Sequence, residues 1–419
     1  MTRSAIRPTI KKYVRHLRAV LYAGLLCAAL AGLWMSVQAQ DGTIPLPGTA
    51  RETPVYQTLT SSAPGFGQQV ALDGDWLVTS TYANDLLIYH RDSSGQYVTH
   101  STIAVEEYDG YLSNAPTFGL ENNRLFVGRK NRKDYEPGEV LVYEPNDTNV
   151  WTIVTTIHPT EPPEVYNTWF GSWLVIDKSG DQFVSDGLAY RRGTDGLWVP
   201  AGEILGAYSG SFISGDRLIT AFQGDKEIYG TTVRFYQYTG GQYWDSAGSL
   251  YQSNPFGASA IIDGNTAFAG GFDDTSNFVQ VMNYNGSEWE FGQTIRPISP
   301  SGEDSDNFGF RMVVDGDQMV ITRLSDTAGF SSLYLYHRTG NLWSLVGEID
   351  LPGFGYEFFG YGNSDIEAGV VAVGDIGYSF DTMGNESFAP KIYIFSEDDF
   401  TPPPVTPDVT PDVTPDVSQ

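Results

Sequence analysis

Residues 256–295 read FGASAIIDGNTAFAGGFDDTSNFVQVMNYNGSEWEFGQTI. Short apolar and aromatic runs alternate here with turn-forming residues, of which Asp263-Gly264-Asn265 is the clearest group. Asp-Gly and Asn-Gly pairs tolerate the positive φ that a tight hairpin requires. The segment therefore predicts four short strands in the order strand, turn, strand, loop, strand, turn, strand.

The same unit recurs along the chain, and its turns mark the period. Seven such turns lie between apolar runs, spaced by about 49 residues on average. The turns are Asp73-Gly74-Asp75, Glu121-Asn122-Asn123, Lys178-Ser179-Gly180-Asp181, Ser214-Gly215-Asp216, Asp263-Gly264-Asn265, Asp315-Gly316-Asp317 and Glu367-Ala368-Gly369.

Two further patterns repeat with the turns. Seven strands end in an aromatic residue, over residues 86–89, 140–143, 188–190, 233–236, 279–284, 333–336 and 392–395. An aromatic residue is also followed six positions later by Ile or Leu, and this even offset places both residues on one face of a strand. The pairs are Tyr97 and Ile103, Trp151 and Ile157, Trp198 and Ile204, Trp244 and Leu250, Trp289 and Ile295, and Trp343 and Ile349.

These repeats predict an all-β, seven-bladed β-propeller with four-stranded blades over residues 54–400. The seventh aromatic pair is missing, because the chain becomes proline-rich after Phe395. Residues 55–59 have the composition of a strand and precede the first unit. We therefore expect this N-terminal strand to complete the last blade, which closes the ring and removes an open sheet edge.

The composition excludes several other classes of protein. With 46 Gly, 14% aromatic and only 18% charged residues, the 419-residue chain does not fit a helical bundle or a disordered chain. The net charge of −27 argues against nucleic acid as a partner, because binding phosphates requires clustered Lys and Arg.

The N-terminus has the three parts of an export signal. Residues 1–18 hold six basic and no acidic residues, an apolar run covers residues 19–37, and Val37-Gln38-Ala39 is a small-x-small cleavage pattern. We expect cleavage after Ala39 and a secreted or extracytoplasmic protein. The alternative is an uncleaved membrane anchor, because the apolar run approaches the length of a membrane span.

Removal of residues 1–39 defines the rest of the chain. Six basic residues leave with the signal, so the net charge becomes −33, and the single cysteine, Cys27, leaves too. The mature chain then has no disulfide and no thiolate. Residues 40–53 form a linker, and residues 401–419 repeat Thr-Pro-Asp-Val three times, which predicts an extended, disordered tail.

Five Phe-Gly pairs give the sequence a family resemblance. It resembles FG-GAP repeats, the units of integrin-α-type propellers found in exported bacterial proteins, and in three pairs the turn Asp follows the Phe by seven residues. Phe118-Gly119 lies too close to its turn to belong to the series, and the repeat around Ala207 has no pair. The pairs are Phe66-Gly67, Phe170-Gly171, Phe256-Gly257, Phe308-Gly309 and Phe359-Gly360.

The resemblance implies calcium loops of the form Asp-x-Asp-x-Asp-Gly, whose carboxylates suit a hard cation. The best candidate is residues 304–309, but Phe308 stands where the third acid belongs, and Asp273-Asp274 fits less well. We therefore predict no metal and no cofactor.

Catalytic candidates are few in this sequence. His90 and His337 occupy the same position in their repeats, each between Tyr and Arg, which predicts a shared structural role. His100 and His158 have no metal-ligand spacing. Two neighbouring carboxylates could form a glycosidase site. Glu288 and Glu290, however, should face solvent on either side of Trp289. The remaining acidic pairs are Glu106-Glu107 and Asp398-Asp399.

Two functions remain open, and a third, assembly with copies of itself, is disfavoured because the faces carry like charge. The first is a non-catalytic protein, with no catalytic residues, that presents inter-blade loops to a protein or glycan outside the cytoplasm, as a monomer. The second is a carbohydrate-active enzyme with acids in the central funnel. The repeat tryptophans should pack between blades, whereas aromatic residues of the inter-blade loops could contact a ligand. These are Tyr108, Tyr111, Tyr166, Trp169, Tyr356 and Phe358.

Overall fold

The computed structural model describes residues 56–105, 117–129, 138–159, 170–204, 211–222, 232–251, 256–272, 276–297, 308–309, 311–324, 330–352, 364–375, 378–380 and 386–400. This part of the chain contains thirty strands and a single-turn 3-10 helix, Glu397–Asp399. The predicted signal, linker and tail lie outside the described residues.

Seven four-stranded antiparallel sheets form the blades. The first strand of the chain is β1 (Gln57–Thr60). Blade 1 holds β2 (Val70–Asp73), β3 (Trp76–Ser80), β4 (Asp85–Arg91) and β5 (Tyr97–Ala104). Blade 2 holds β6 (Thr117–Glu121), β7 (Arg124–Arg129), β8 (Glu139–Pro145) and β9 (Trp151–Ile157). Blade 3 holds β10 (Leu174–Ile176), β11 (Gln182–Ser185), β12 (Leu188–Arg192) and β13 (Trp198–Glu203). Blade 4 holds β14 (Ser211–Ser214), β15 (Arg217–Phe222), β16 (Thr232–Gln237) and β17 (Asp245–Tyr251).

The remaining strands continue the same order. Blade 5 holds β18 (Phe256–Asp263), β19 (Thr266–Phe272), β20 (Asn277–Tyr284) and β21 (Trp289–Ile295). Blade 6 holds β22 (Met312–Asp315), β23 (Gln318–Leu324), β24 (Phe330–Thr339) and β25 (Leu342–Pro352). Blade 7 combines β26 (Ser364–Glu367), β27 (Val370–Asp375) and β30 (Lys391–Ser396) with β1. A hairpin of β28 (Tyr378–Phe380) and β29 (Glu386–Phe388) lies between β27 and β30 in the chain.

The structure confirms the seven-bladed propeller and its closure. The first strand of every blade contacts the first strands of both neighbouring blades, including β2 with β26, so these strands surround a central channel. The N-terminal strand β1 pairs antiparallel with β30, with Leu59 opposite Ile392. The last blade is therefore completed by the beginning of the propeller chain, as the missing seventh aromatic pair predicted.

The repeat aromatics lie within one residue of the start of the fourth strands and pack between blades, as predicted. Tyr97, Trp151, Trp244, Trp289 and Trp343 are buried. Trp198 is half-buried and packs against Phe126 of the preceding blade, with ring centroids 5.5 Å apart. Trp151 likewise joins the apolar cluster that blades 1 and 2 share.

Three of the Phe-Gly pairs connect adjacent blades, whereas Phe256 lies in β18 opposite Gly271 of its own blade. Phe66, Phe170 and Phe308 are buried, and the glycine after each has a positive φ, near +80°. The backbone of each of these glycines lies directly against a glycine in the second strand of the preceding blade, where a side chain would not fit. The glycine contacts are Gly67 with Gly374, Gly171 with Gly128, and Gly309 with Gly270.

Phe118-Gly119 does not belong to this series, as predicted. Both residues lie within β6 in extended conformation, and Gly119 faces the Ile176 side chain of blade 3. Phe359-Gly360 lies outside the described residues.

Replacing Gly374 by Ala tests the glycine contact. The new Cβ would overlap the Gly67 carbonyl oxygen, and because the obstacle is backbone, the two blades must separate. We expect the free energy of unfolding to fall by about 1–3 kcal/mol or more, measured by urea denaturation. Gly241→Ala is the control, since its nearest neighbour would lie 3.6 Å from the new Cβ. Equal stability of both variants would contradict the contact's role.

A glutamine side chain fastens the closing strand to blade 1. Gln57 Nε2 donates to the Tyr97 carbonyl oxygen at 2.7 Å, and its Oε1 accepts from the Tyr97 N–H at 2.8 Å. Gln293 makes the same two bonds to Trp343 between blades 5 and 6, at 2.9 and 2.8 Å. The closing interface therefore uses the same contact as an interface inside the ring.

We expect Gln57→Ala and Gln293→Ala to destabilise the propeller equally. Each substitution leaves a main-chain donor and acceptor without its partner beside a buried aromatic residue, which costs about 1–3 kcal/mol. Thermal and urea unfolding measure the loss. Gln242→Ala, whose side chain is exposed, is the control, and a Gln57 variant as stable as this control would show that the clamp contributes nothing.

Candidate functional site: the acidic mouth of the central channel

The inner strands end in acidic residues at one opening of the channel. Each first strand runs into a tight turn, and the residue before the turn is Asp or Glu in six blades and Ser in blade 4. Because the seven inner strands form a ring, these residues encircle the channel opening. We call this set the acidic mouth: Asp73, Glu121, Asp177, Ser214, Asp263, Asp315 and Glu367.

Most members of the acidic mouth bond to the next blade. In five blades the side-chain oxygen accepts a hydrogen bond from a main-chain N–H in the neighbouring turn, so the carboxylate charge is partly compensated by peptide dipoles. The bonds join Asn123 to Asp73, Gly215 to Asp177 (2.6 Å), Gly264 to Ser214 (2.9 Å), Gly316 to Asp263, and Ala368 to Asp315 (2.9 Å).

Lys178 spans the acidic mouth. It lies in the turn of blade 3, and its Nζ is 2.8 Å from Asp315 Oδ1 of blade 6, three blades away around the ring. The ammonium charge also acts on Glu121, Asp263, Asp365 and Glu367 from other blades. A single alkylammonium group thus occupies the opening and faces carboxylates from several sides.

Asp365 adds a carboxylate to the inner strand of blade 7, before the acidic mouth is reached. It lies two residues before Glu367 in β26, on the strand face that packs against blade 1, and its Oδ2 accepts from Leu72 N–H at 2.8 Å. Burial raises the pKa of Asp365 to about 7. The six other blades carry Gly or an apolar residue at this position: Ala71, Gly119, Val175, Phe212, Ile261 and Val313.

Burial and crowding also raise pKa values within the mouth. The pKa of Glu121 rises to about 9, first because of burial and then because of the Asp365 charge. Burial likewise raises the pKa of Glu367, with the Asp315 charge adding to it. At Asp315 burial acts in the same direction, but hydrogen bonds from Lys178 and Ala368 hold its pKa below the ordinary value.

Glu121→Gln should make stability less dependent on pH. With a pKa of about 9 in the folded state and about 4.5 in the unfolded chain, Glu121 binds its proton more tightly when folded. The native protein therefore loses stability from this group as pH rises from about 4.5 to about 9. Urea unfolding across that range should show that the free energy of unfolding of the variant rises relative to that of the native chain as pH increases. Glu288→Gln, at an exposed site, should follow the native curve. Parallel curves for the Glu121 variant would contradict this assignment.

The histidines that the sequence analysis singled out are not members of the acidic mouth. His90 and His337 both lie near the end of the third strand, opposite the first residue of the second strand, so their repeat position is shared. Their contacts differ, because His90 packs on Trp76 whereas His337 lies 3.4 Å from Glu397.

The acidic pairs behave as surface and capping groups. Glu288 and Glu290 are exposed on either side of buried Trp289, as predicted. Asp399 accepts hydrogen bonds from the main chain and hydroxyl of Ser396 at 2.6 and 3.0 Å. Several other candidates lie outside the described residues: Glu106-Glu107, Asp273-Asp274, Asp304, Asp306, Tyr108, Tyr111, Tyr166, Trp169, Tyr356 and Phe358.

The sequence reasoning missed the acidic mouth, although its signal was present. The first residue of the repeat turn is acidic in five of the seven turn motifs, and Asp177 precedes a sixth. Taken one at a time, the turns predict hairpin geometry alone. Lys178 carried no signal, because only the closed ring brings it to Asp315.

Among the described residues, no group of three or more His, Cys, Asp or Glu side chains is positioned to hold a metal ion. Within the same ranges, no helix combines the length and apolar character that crossing a membrane demands.

Comparisons with known proteins agree on the fold. No family model matches the chain, and no curated protein does. A chain of the mitotic checkpoint complex is 10% identical, with 84% of this chain and 98% of that chain covered and a TM-score of 0.50. The Swd1 β-propeller domain of Myceliophthora thermophila is 11% identical over 81% of this chain and 99% of that chain, with a TM-score of 0.46. Periplasmic gluconolactonase of Pseudomonas aeruginosa is 13% identical over 68% and 86%, with a TM-score of 0.40. At such identities the likeness concerns the fold alone.

Proposed function

We propose that the chain is an exported, non-catalytic binding protein whose acidic mouth receives a basic side chain of a partner protein. The observation that carries this proposal is the Lys178 ammonium seated 2.8 Å from Asp315 in the channel opening. A group of this size and charge fits the opening, and a lysine or arginine presented by a partner has the same chemistry.

The charge of the whole molecule supports the same partner class. A chain with net charge −27, or −33 after the proposed removal of the signal, attracts basic partners over distance and repels acidic ones. A rigid ring with short turns holds its carboxylates in place before binding, so little ordering is required. We also propose membership of the FG-GAP propellers, on the Phe-Gly turns described above.

Lys178→Met should strengthen the binding of a basic probe. The substitution removes the internal competitor and leaves the carboxylates of the mouth in place. Using a hexalysine peptide and calorimetry at low salt, we expect at least about tenfold tighter binding than to the native chain. The gain should shrink as salt rises from 0.01 to 0.15 M, since screening shortens to about 8 Å.

Lys391→Met is the matched control for this experiment. It removes the same charge from the rim of blade 7, where Lys391 lies 5.9 Å from the Tyr393 ring centroid. An equal gain for both variants would mean that net charge alone governs binding. No binding to either variant would refute the proposed role of the mouth.

A carbohydrate-active enzyme is the second candidate, and Glu121 is the observation that favours it. A carboxyl group with a pKa of about 9 stays protonated at neutral pH and can act as a general acid, with Asp365 close enough to influence it. However, five other oxygen-bearing side chains of the mouth are engaged by main-chain amides of neighbouring blades.

A polysaccharide panel separates the two functions. We expect no new reducing or unsaturated chain ends after incubation of the full chain with soluble and insoluble polysaccharides. Release of such ends, abolished by Glu121→Gln and retained by Glu288→Gln, would overturn the non-catalytic proposal. Retention of a polysaccharide without release would instead assign a glycan as the partner.

A further inference from the structure

Blade 1 brings two imidazoles together two strands outward from Asp73 of the acidic mouth, since Asp73 pairs with Trp76 and Trp76 with His90. His90 lies near the end of β4 and His100 within β5, and their ring centroids are 6.1 Å apart with an interplanar angle of 49°. Ile88 pairs with Ser101 and Tyr89 with Thr99, so His100 is the extra residue of a β-bulge. A bulge redirects a side chain, and here it faces His100 towards His90.

A tryptophan forms the third side of this cluster. Trp76 pairs with His90 across β3 and β4, and its ring centroid is 4.3 Å from that of His90 and 5.1 Å from that of His100. Trp76 is buried, and Trp151 of blade 2 packs against it at 5.1 Å. The two imidazoles therefore rest on a fixed apolar base, with His100 exposed and His90 half-buried.

One ring nitrogen of His100 has a hydrogen-bonding neighbour. His100 Nδ1 lies 3.0 Å from Ser101 Oγ, which orients the ring and leaves Nε2 available. Metal-binding histidines usually donate their second ring N–H to a carboxylate, a backbone carbonyl or water, and here the Ser101 hydroxyl occupies that place. For His90, the described residues contribute no hydrogen-bond partner to either ring nitrogen.

We propose that His90 and His100 together bind one divalent transition-metal ion, with Cu²⁺ held most tightly. An ion about 2.0–2.1 Å from one nitrogen of each ring separates the ring centroids by at most about 6.5 Å, when the two nitrogens lie on opposite sides of it. The observed 6.1 Å therefore fits a wide nitrogen–metal–nitrogen angle. Imidazole suits Cu²⁺, Ni²⁺ and Zn²⁺, and the intrinsic order of affinity favours Cu²⁺.

Two protein ligands define the character of the site. Water, or a donor group from a partner, completes the coordination, so the ion exchanges with solvent rather than supporting the fold. The acidic surface of the chain also raises the local concentration of cations. The His90–His100 pair binds an ion of intermediate softness on blade 1. Its ligands do not include the carboxylates of the acidic mouth.

Blade 6 offers a matched control. His337 occupies the repeat position of His90, but Gln318 stands where blade 1 has Trp76. The Nε2 of His337 is 3.1 Å from Gln318 Nε2 and 3.4 Å from Glu397, so this nitrogen faces protein groups. The structure places no second imidazole beside His337 among the described residues.

Copper titration of the full chain tests the proposal. We expect one tight Cu²⁺ per chain by calorimetry, accompanied by partial quenching of tryptophan emission that EDTA reverses. His90→Ala and His100→Ala should each weaken this binding at least tenfold and remove the quenching, whereas His337→Ala should leave both unchanged. Zn²⁺ should bind the same site more weakly and compete with Cu²⁺.

The same series of variants shows whether each variant is folded and where the copper ion binds. Circular dichroism and thermal unfolding confirm that each variant is folded, and His90→Gln replaces His90→Ala if the latter fails. Lys178→Met should retain copper binding, because the acidic mouth is separate from the imidazole pair. Tight binding that survives in both single variants, or that is lost equally in His337→Ala, would overturn the proposal.

Discussion

Each blade of this protein has two sheet faces to bury, so the fold depends on a ring that has no gap. The apolar clusters lie between adjacent blades rather than within one, as the sharing of Trp151 with blade 1 illustrates. A blade at an open end would expose one apolar face and one sheet edge to water. The closing strand β1 removes both problems, since it pairs with β30 and brings Leu59 into the cluster between blades 7 and 1.

Polar and backbone contacts between blades add to these apolar clusters, and they explain several repeated residues. Glycine faces glycine where the turn of one blade meets the second strand of the preceding blade. A carboxylate at the end of an inner strand accepts a main-chain hydrogen bond from the next turn. Such bonds use acids as structural acceptors, but they also concentrate negative charge at one opening of the channel. Lys178 partly offsets this charge by reaching Asp315.

The fold could be predicted from the sequence because its signals are local and repeated. A turn such as Asp263-Gly264-Asn265 and an aromatic residue such as Trp289 recur at near-regular spacing, so each unit supports the interpretation of the others. The closure followed from a missing element, and the buried positions of the tryptophans followed from their place in the repeat. The exclusion of Phe118-Gly119 also followed from spacing.

The candidate site was less accessible to sequence reasoning, because its residues come from blades far apart in the chain. The acidic residue of each turn was visible, but its meaning depends on seven inner strands meeting around one axis. The Lys178–Asp315 pair joins residues 137 positions apart. The proximity of His90 to His100 depends on a bulge, which shifts the register by one residue and is not evident in the sequence pattern.

The sequence by itself determined the class of fold, the number of blades and the position of the closing strand, since hairpin turns and strand periodicity are set by neighbouring residues. Only the tertiary structure decided which charges face one another. The pKa of Asp365 rises to about 7 because an inner-strand position that is apolar or Gly in six blades holds a carboxylate in the seventh. Electrostatic energies depend on burial and on distance across the ring, and closure of the ring determines both.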